Sequence, residues 1–596
     1  AAAVTAATSF TSLDDLVAAY TTLQSPAALS FALTTATESA FGTASNDAFT
    51  ATSLTLQVGD VIGDSSTTDS DTLVVTATDD IAAGVTVVGI ETVTFNLNAT
   101  TTAGVANSFQ VALDNINAST IIMDNASTSS PVTSAAVTGV ATGANITFGD
   151  HYDTVTVTAA DNAIITVNTG TTSASATSIA IAGATVDAAT VNAAGALTMT
   201  ASTNDGILTA TSVGNMSLTS AAATTANVTS GGTMAVLDVT AATTIAAEAV
   251  GQLVLTDGDS ATSLSLTSLD DVDITTADAA TTATISAGTV TALAVSTITG
   301  ATALTSLSVS GNGSAMVIDT VGATGVAAVA VSGDQDVTIR MDASDIDAFT
   351  ADVITVTDTS TAGTTTLQFI TTKGTVNASA ASVDVIDLNI DMNAETLTTA
   401  SGQTVAINAD QTGTVTLTQA SATSATNSMN LNIDDSTAGV TTTTSAGLVV
   451  TNVATVALDL TDTFTGTATN FGTAAVTATG TGTAVLTLAG ATTAGSIDAS
   501  AMTTVVTANL AGGTTLGNLT TGSNDDVITT STAASTGGLT LSTNAGADSL
   551  TFDVIARALT DVTWDGGAGV DTLALGTSAI IDAFTYDLTS VEVITY

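Results

Sequence analysis

From about Ala51 onward the chain alternates apolar and small polar residues in short runs. Val74, Thr76 and Thr78 mark one face of such a run, and Val85, Val87 and Gly89 mark another. Alternation with period two over four or five residues predicts short strands with one face turned inward. Comparable runs recur at 154–158, 163–167, 178–181, 252–255, 263–266, 292–296, 307–310, 327–331, 414–417 and 484–488. Gly, Asn, Asp, Ser or Ala separates most of them, as turns require. Only Pro26 and Pro131 interrupt 596 residues, so nothing after them reads as a linker.

The first residues follow a different period. Ser12 is placed to cap a helix, and Asp14 and Asp15 fall in its first turn, where acids suit the dipole. Leu13, Leu16, Val17 and Tyr20 then sit at helical spacing, with Pro26 beyond. A short N-terminal helix is expected, either as a packing or capping element or as an anchor or subunit contact. The resulting division is a helical segment at 1–45, a β module at 46–100, a Thr- and Ala-rich β region at 101–520 and a second β module at 521–596.

Many short strands with small side chains favour stacked coils over sandwiches. A narrow solenoid interior accepts Ala, Val, Ile and Leu, and outward Thr supplies β propensity without grease. A row of immunoglobulin-like sandwiches would call for aromatic core plugs and Pro-rich linkers. This chain has one Trp and four Tyr. The expected fold class is therefore all-β: a parallel β-solenoid, with the short helix in front.

Charge changes the picture most. There are 54 acidic residues against three basic ones, Arg340, Lys373 and Arg557, for a formal net charge of -51. Only Glu38, Glu91, Glu248, Glu395 and Glu592 are Glu; the rest are Asp. Asp is a turn former and a short oxygen ligand, so the charge belongs in the turns between strands. Three cations cannot balance it by ion pairing. Bound divalent cations, high salt or a basic partner must limit the self-repulsion. About 25 calcium ions would match the excess. Nucleic acid is excluded as a partner, because phosphate contacts need Lys and Arg.

No stretch of 18 apolar residues occurs, so no membrane-inserted helix is expected. Residues 1–8 lack the basic and long apolar regions of a signal peptide. Cysteine is absent, which removes disulfides as staples and thiol catalysis as chemistry.

The sharpest motif is Gly566-Gly567-Ala568-Gly569-Val570-Asp571-Thr572-Leu573, which fits the glycine-rich calcium repeat G-G-x-G-x-D-x-U at every defined position. Its glycines permit a tight turn with inward carbonyls, and the Asp completes an oxygen cage for a hard cation. Asp565 stands just before it as a further ligand. Two looser copies precede it, Asn544-Ala545-Gly546-Ala547-Asp548-Ser549-Leu550 and Gly522-Ser523-Asn524-Asp525-Asp526-Val527-Ile528. Asp526, Asp548 and Asp571 are 22 and 23 residues apart, one acid per coil. Asp60, Asp64, Asp69 and Asp71 resemble the same unit with an insertion. Asp150 and Asp153, Asp257 and Asp259, and Asp334 and Asp336 are further candidate ligands in acidic turns. Multiple calcium ions are the expected cofactor.

Asp71-Thr72-Leu73 followed by Glu91-Thr92-Val93 is echoed by Asp571-Thr572-Leu573 followed by Glu592-Val593-Ile594, with the acids 20 and 21 residues apart. One unit thus brackets the long middle. His151 is the only histidine, and no G-x-S-x-G elbow, zinc ligand set or P-loop accompanies it. A β-helical polysaccharide-active enzyme is the catalytic alternative, but 18 aromatics and three cations over 596 residues build no sugar cleft.

Ser45-Asn46-Asp47-Ala48-Phe49, Leu54 to Asp60, Asp71-Thr72-Leu73 and Gly89-Ile90-Glu91-Thr92-Val93, with the C-terminal repeats, resemble the RTX-type calcium-binding S-layer proteins of Gram-negative bacteria. The resemblance is specific over about 45–96 and 521–596, and compositional between them. It implies RTX-like calcium turns in both modules, a secreted protein at the cell surface and self-assembly in many copies, without catalysis. It also implies an N-terminal domain that binds cell-surface polysaccharide. An extracellular filament or sheath subunit is the neighbouring expectation.

Overall fold

The computed structural model describes residues 27–595 apart from 67, 99–106, 126–131, 150–151, 153, 160–162, 169–176, 184–185, 202–203, 289–293, 312–314, 343–352, 361, 372–374, 393–395, 422–425, 435–440, 445–446, 462, 467, 489–492, 511–514, 531–538, 553–561 and 576–585. Two compact units divide the chain, Ala1–Ile285 and Ser286–Tyr596. Both are built as parallel β-solenoids.

In the first unit the chain visits its sheets in turn. One sheet takes Ser30–Ala32, Ala48–Thr52, Thr72–Ala77, Thr92–Leu97 and Thr120–Asn125, and continues coil by coil to Ser263–Ser268. A nine-stranded sheet runs from Asn107–Ala112 to Val272–Ile274, and Ser39–Phe41, Val61–Gly63, Thr86–Val88 and Ile116–Asn117 form a small third sheet. The pairings are parallel, each strand on the equivalent strand of the next coil.

Alternation fixes what lies inside. Thr72–Ala77 buries Leu73, Val75 and Ala77 and turns Thr72, Val74 and Thr76 outward. Parallel register then stacks like positions. Phe49, Leu73, Val93, Ile121, Ile146 and Ile165 form one unbroken column, each 0% exposed. The column continues through Ala189, Leu208, Ala226 and Ile245, where small and large residues alternate and interdigitate.

Between Ala223 and Thr282 the coil settles to 19 residues. Ala-Thr pairs recur at Ala223-Thr224, Ala242-Thr243, Ala261-Thr262 and Ala280-Thr281. Each Ala is buried at the corner. Each Thr hydroxyl from Thr243 on donates to the carbonyl of the Thr one coil earlier, at 3.1–3.3 Å.

The second unit repeats the plan. A 14-stranded sheet runs from Ala294–Thr297 to Tyr586–Thr589, beside an eight-stranded sheet ending at Val593–Thr595. Ile318, Ile339, Leu367, Ile386, Val405 and Leu431 form its central column. Trp564 is the bulkiest fully buried side chain, held between Leu541 and Leu588 in register. Arg340 donates to the Gln368 side chain at 2.8 Å, and Gln368 donates to buried Asp387 at 2.6 Å, a polar rung completed by Asn408.

The solenoid expectation therefore holds. The expected N-terminal helix falls largely on 1–26, outside the described residues. The rest of the expected helical segment differs: Ser30–Ala32 and Ser39–Phe41 are strands already paired to the next coil. Their inward positions simply lack the length to show period two. Pairing also runs without a break across the expected limits at 100 and 520, joining Thr92–Leu97 to Thr120–Asn125 and Val506–Leu510 to Val527–Thr530.

Leu73→Ala opens a void inside this continuous column and is expected to cost about 2–5 kcal/mol. Thr76→Ala, on the outer face of the same strand, is expected to stay within about 0.5 kcal/mol. Urea unfolding followed by circular dichroism separates the two; equal losses would contradict the inward assignment.

Candidate metal centre

In several coils an acid sits where the chain turns a corner before a strand. In the second unit Val527 pairs with Ser549, Ser549 with Thr572 and Thr572 with Val593. The residues just before them, Asp526, Asp548, Asp571 and Glu592, are thereby stacked. In the first unit Ala48, Thr72 and Thr92 are in register, which stacks Asp47, Asp71 and Glu91 in the same way.

Each corner uses its acid identically. In a parallel ladder a residue points its N–H and C=O at the same neighbour. The C=O of Asp47 accepts the amide of Thr72 at 3.0 Å, and that of Asp548 accepts the amide of Thr572 at 2.8 Å. The N–H beside it finds no backbone carbonyl, because the next coil has already turned away. A carboxylate from that coil takes its place. Asp47 N donates to Asp71 Oδ1 at 2.7 Å, and Asp71 N to Glu91 Oε2 at 2.8 Å. Val506 N donates to Asp526 at 2.7 Å, Asp526 N to Asp548 at 2.7 Å, Asp548 N to Asp571 at 2.9 Å and Asp571 N to Glu592 at 2.9 Å. These are short, charge-assisted bonds.

In four of these carboxylates one oxygen is committed and the other is stranded, whereas both oxygens of Asp47 accept amides, from Leu29 and Thr43. Oδ2 of Asp71, Asp526, Asp548 and Asp571 is buried with no hydrogen-bond partner. Burial therefore pushes the carboxyl of Asp548 up to about 6, with the Asp526 amide easing it and the charges of Asp526 and Asp571 adding to it. Burial likewise raises Asp71, Asp526 and Asp571. The Thr521 and Thr543 hydroxyls offset part of the push on Asp526 and Asp548 without closing a hydrogen bond on Oδ2. Asp47 goes the other way: burial raises it, but the amides of Leu29 and Thr43 outweigh that and leave it lowered. A buried anionic oxygen without a donor is costly, and a hard cation is the partner that relieves it.

Among the described residues, acidic side chains converge three at a time in two places. Oxygens of Asp47, Asp64 and Asp71 lie within 4.8 Å of one another, as do those of Asp69, Asp71 and Glu91. The C-terminal acids instead form a line, one per coil. At their corners glycine makes room for backbone: Gly567 takes φ +81°, and a Cβ there would meet the Asn544 carbonyl oxygen at 1.9 Å. A Cβ on Gly569 would lie 1.6 Å from the Gly546 carbonyl oxygen. The Ala568 amide donates to the Asn544 carbonyl at 2.8 Å, so successive turns are hydrogen-bonded to each other.

The remaining candidates divide by place. Asp60 is buried, but both its oxygens accept amides, from Glu38 at 2.8 Å and Gln57 at 2.7 Å; it caps a second corner, outside both clusters. Asp525 is exposed and accepts the Ala547 amide, Asn544 donates to the Thr521 carbonyl, and exposed Asp565 accepts the Gly567 amide. Asn524 is half-buried at the same edge. Asp257 accepts the amide of exposed Asp259, while Asp336 accepts that of Thr364 and Asp334 is exposed beside it. Asp150 and Asp153 lie outside the described residues. Sequence reasoning did not name Asp47, Glu91 or Glu592 as ligands. For Asp47 and Glu91 the signal is an acid two places before the first buried apolar residue of a strand, shared with Asp71, Asp526, Asp548 and Asp571; Glu592 has the same spacing to Ile594, which is exposed.

No family model matches the chain, and no curated protein matches it.

The raised carboxyl of Asp548 sets a pH dependence. An unfolded Asp titrates near 3.8, the folded one at about 6, so between these values the folded state holds more protons. Stability of the calcium-free chain is thus expected to fall as pH rises through that window and level off above it. Melting in a chelator should occur at higher temperature at pH 5 than at pH 7.5, and Asp548→Asn should flatten the difference. A melting temperature that drops on going from pH 7.5 to 5 would contradict the stranded-carboxylate geometry.

Proposed function

We propose that this chain is a structural subunit of an extracellular surface lattice, an S-layer, that assembles from many copies and is held by calcium. The observation that carries the reading is the corner column: a buried carboxylate on successive coils, with one oxygen bound to the neighbouring amide and the other free for a cation. Calcium takes six to eight oxygens in flexible geometry at about 2.3–2.6 Å, which suits carboxylates fixed by backbone. Secretion into a calcium-rich medium would deliver the ion after export and order the coils there. The same ion, bound between exposed acids of adjacent subunits, would overcome repulsion between copies that each carry a net charge of -51. Self is thus the principal partner, with cell-surface polysaccharide as the proposed anchor. RTX-like repeats ending at Asp526, Asp548 and Asp571 support this family reading over a catalytic one. A filament or sheath subunit is favoured equally by the parallel stacking of coils, and electron microscopy of assemblies distinguishes sheet from fibre.

Assemblies of the purified chain are expected to dissolve in a calcium chelator and to re-form with calcium but not magnesium, which demands a tighter octahedral shell. Light scattering follows both steps. Assemblies indifferent to the chelator would overturn the proposal.

A further inference from the structure

The first unit holds a denser arrangement than the C-terminal line. Asp71 belongs to both triplets of converging oxygens, Asp47–Asp64–Asp71 and Asp69–Asp71–Glu91. It is 0% exposed, and its Oδ2 has no partner. Around it, Asp64 Oδ1 and both carboxylate oxygens of Asp69 are also buried and unpartnered. Five acids therefore meet at one corner, and the sequence of residues 1–285 contains no Lys or Arg to offset them.

The backbone is cleared for them. A Cβ on Gly42 would lie 2.6 Å from Asp47 Oδ2 and 3.1 Å from Asp64 Oδ1. A Cβ on Gly89 would lie 2.2 Å from the Asp64 carbonyl oxygen, at a backbone φ of +72° that glycine favours. Both glycines let Asp64 approach the column. Three oxygens within 4.8 Å of one another share a centre no more than about 2.8 Å from each, a reach that admits a calcium ion.

We propose that this corner is a paired calcium centre in which Asp71 is shared by two ions, one held with Asp47 and Asp64 and the other with Asp69 and Glu91. Five carboxylates set against two divalent ions leave a single negative charge. One ion would leave a triplet's worth of buried anion unmatched. The centre names a site for the calcium of the lattice reading and rests on that reading.

Calcium bound per full-length chain, counted by native mass spectrometry after equilibration with calcium, tests it. Asp71→Asn keeps the carbonyl oxygen that accepts the Asp47 amide, so the corner bond survives while the shared ligand is lost. It is expected to bind two ions fewer than the wild type, Asp64→Asn one fewer, Glu91→Gln one fewer and their double variant two fewer. Asp548→Asn should leave these two ions in place. Should Asp71→Asn lose its native circular dichroism, the Asp64→Asn, Glu91→Gln and double variants decide. A wild type that binds calcium while Asp71→Asn loses one ion or none, or a double variant that loses only one, overturns the paired centre alone. A wild type that binds no calcium overturns the lattice reading with it.

Discussion

A parallel coil that turns a corner leaves one amide facing the next coil with no carbonyl opposite. At the corners that carry an acid, that amide is met by a carboxylate from the coil it faces, and the acid's own amide passes the demand one coil further. Asp47 leans on Asp71, which leans on Glu91; Asp526, Asp548, Asp571 and Glu592 do the same at the other end. The corner bond satisfies a donor worth about 1–3 kcal/mol if left bare. At Asp71, Asp526, Asp548 and Asp571 it does so by burying a charge whose second oxygen then has nothing to bind. Backbone satisfaction and charge burial are thus one event, and the proposed cation is what would make them compatible.

The interior follows from the same repetition. Stacked register turns any inward position into a column, so one residue's size constrains its neighbours in two coils. Where Ile165, Ala189, Leu208 and Ala226 alternate, a narrow interior is filled without aromatics. At the corners of the 19-residue coils the amides of Thr243, Thr262 and Thr281 donate to the backbone carbonyl of the Thr one coil earlier, and their hydroxyls donate to the same carbonyls, so no carboxylate is called on there. Those corners need no cation. Among the described residues, buried charge thus stands at selected corners, and the 19-residue coils do without it.

Much of this was written plainly in the sequence. Period-two runs located strands that the structure confirms, such as Thr154–Ala159 and Ser263–Ser268. The spacing of Asp526, Asp548 and Asp571 placed them one per coil, as the register bears out. Asp47, Glu91 and Glu592 were harder to recognise as corner acids, because an acid followed by one residue and an apolar one is too short a pattern to stand out. Coil length also varies, with 24 residues between Asp47 and Asp71 and 20 between Asp71 and Glu91. The Ala-Thr repeat was hidden for another reason: Ala and Thr are so common here that their recurrence carries little information. Asp60 looked like the other acids of its loop, yet it caps a separate corner through the Glu38 and Gln57 amides and lies outside both clusters of converging acids, a distinction only three dimensions supply.

The central claim is that the stranded oxygens are cation ligands. A crystal structure of the chain grown with calcium, with anomalous difference density to identify the ion, tests it most directly. The account predicts peaks about 2.3–2.6 Å from Oδ2 of Asp71, Asp526, Asp548 and Asp571. Ordered water or bare solvent at all four oxygens, with the corner hydrogen bonds intact, would contradict it.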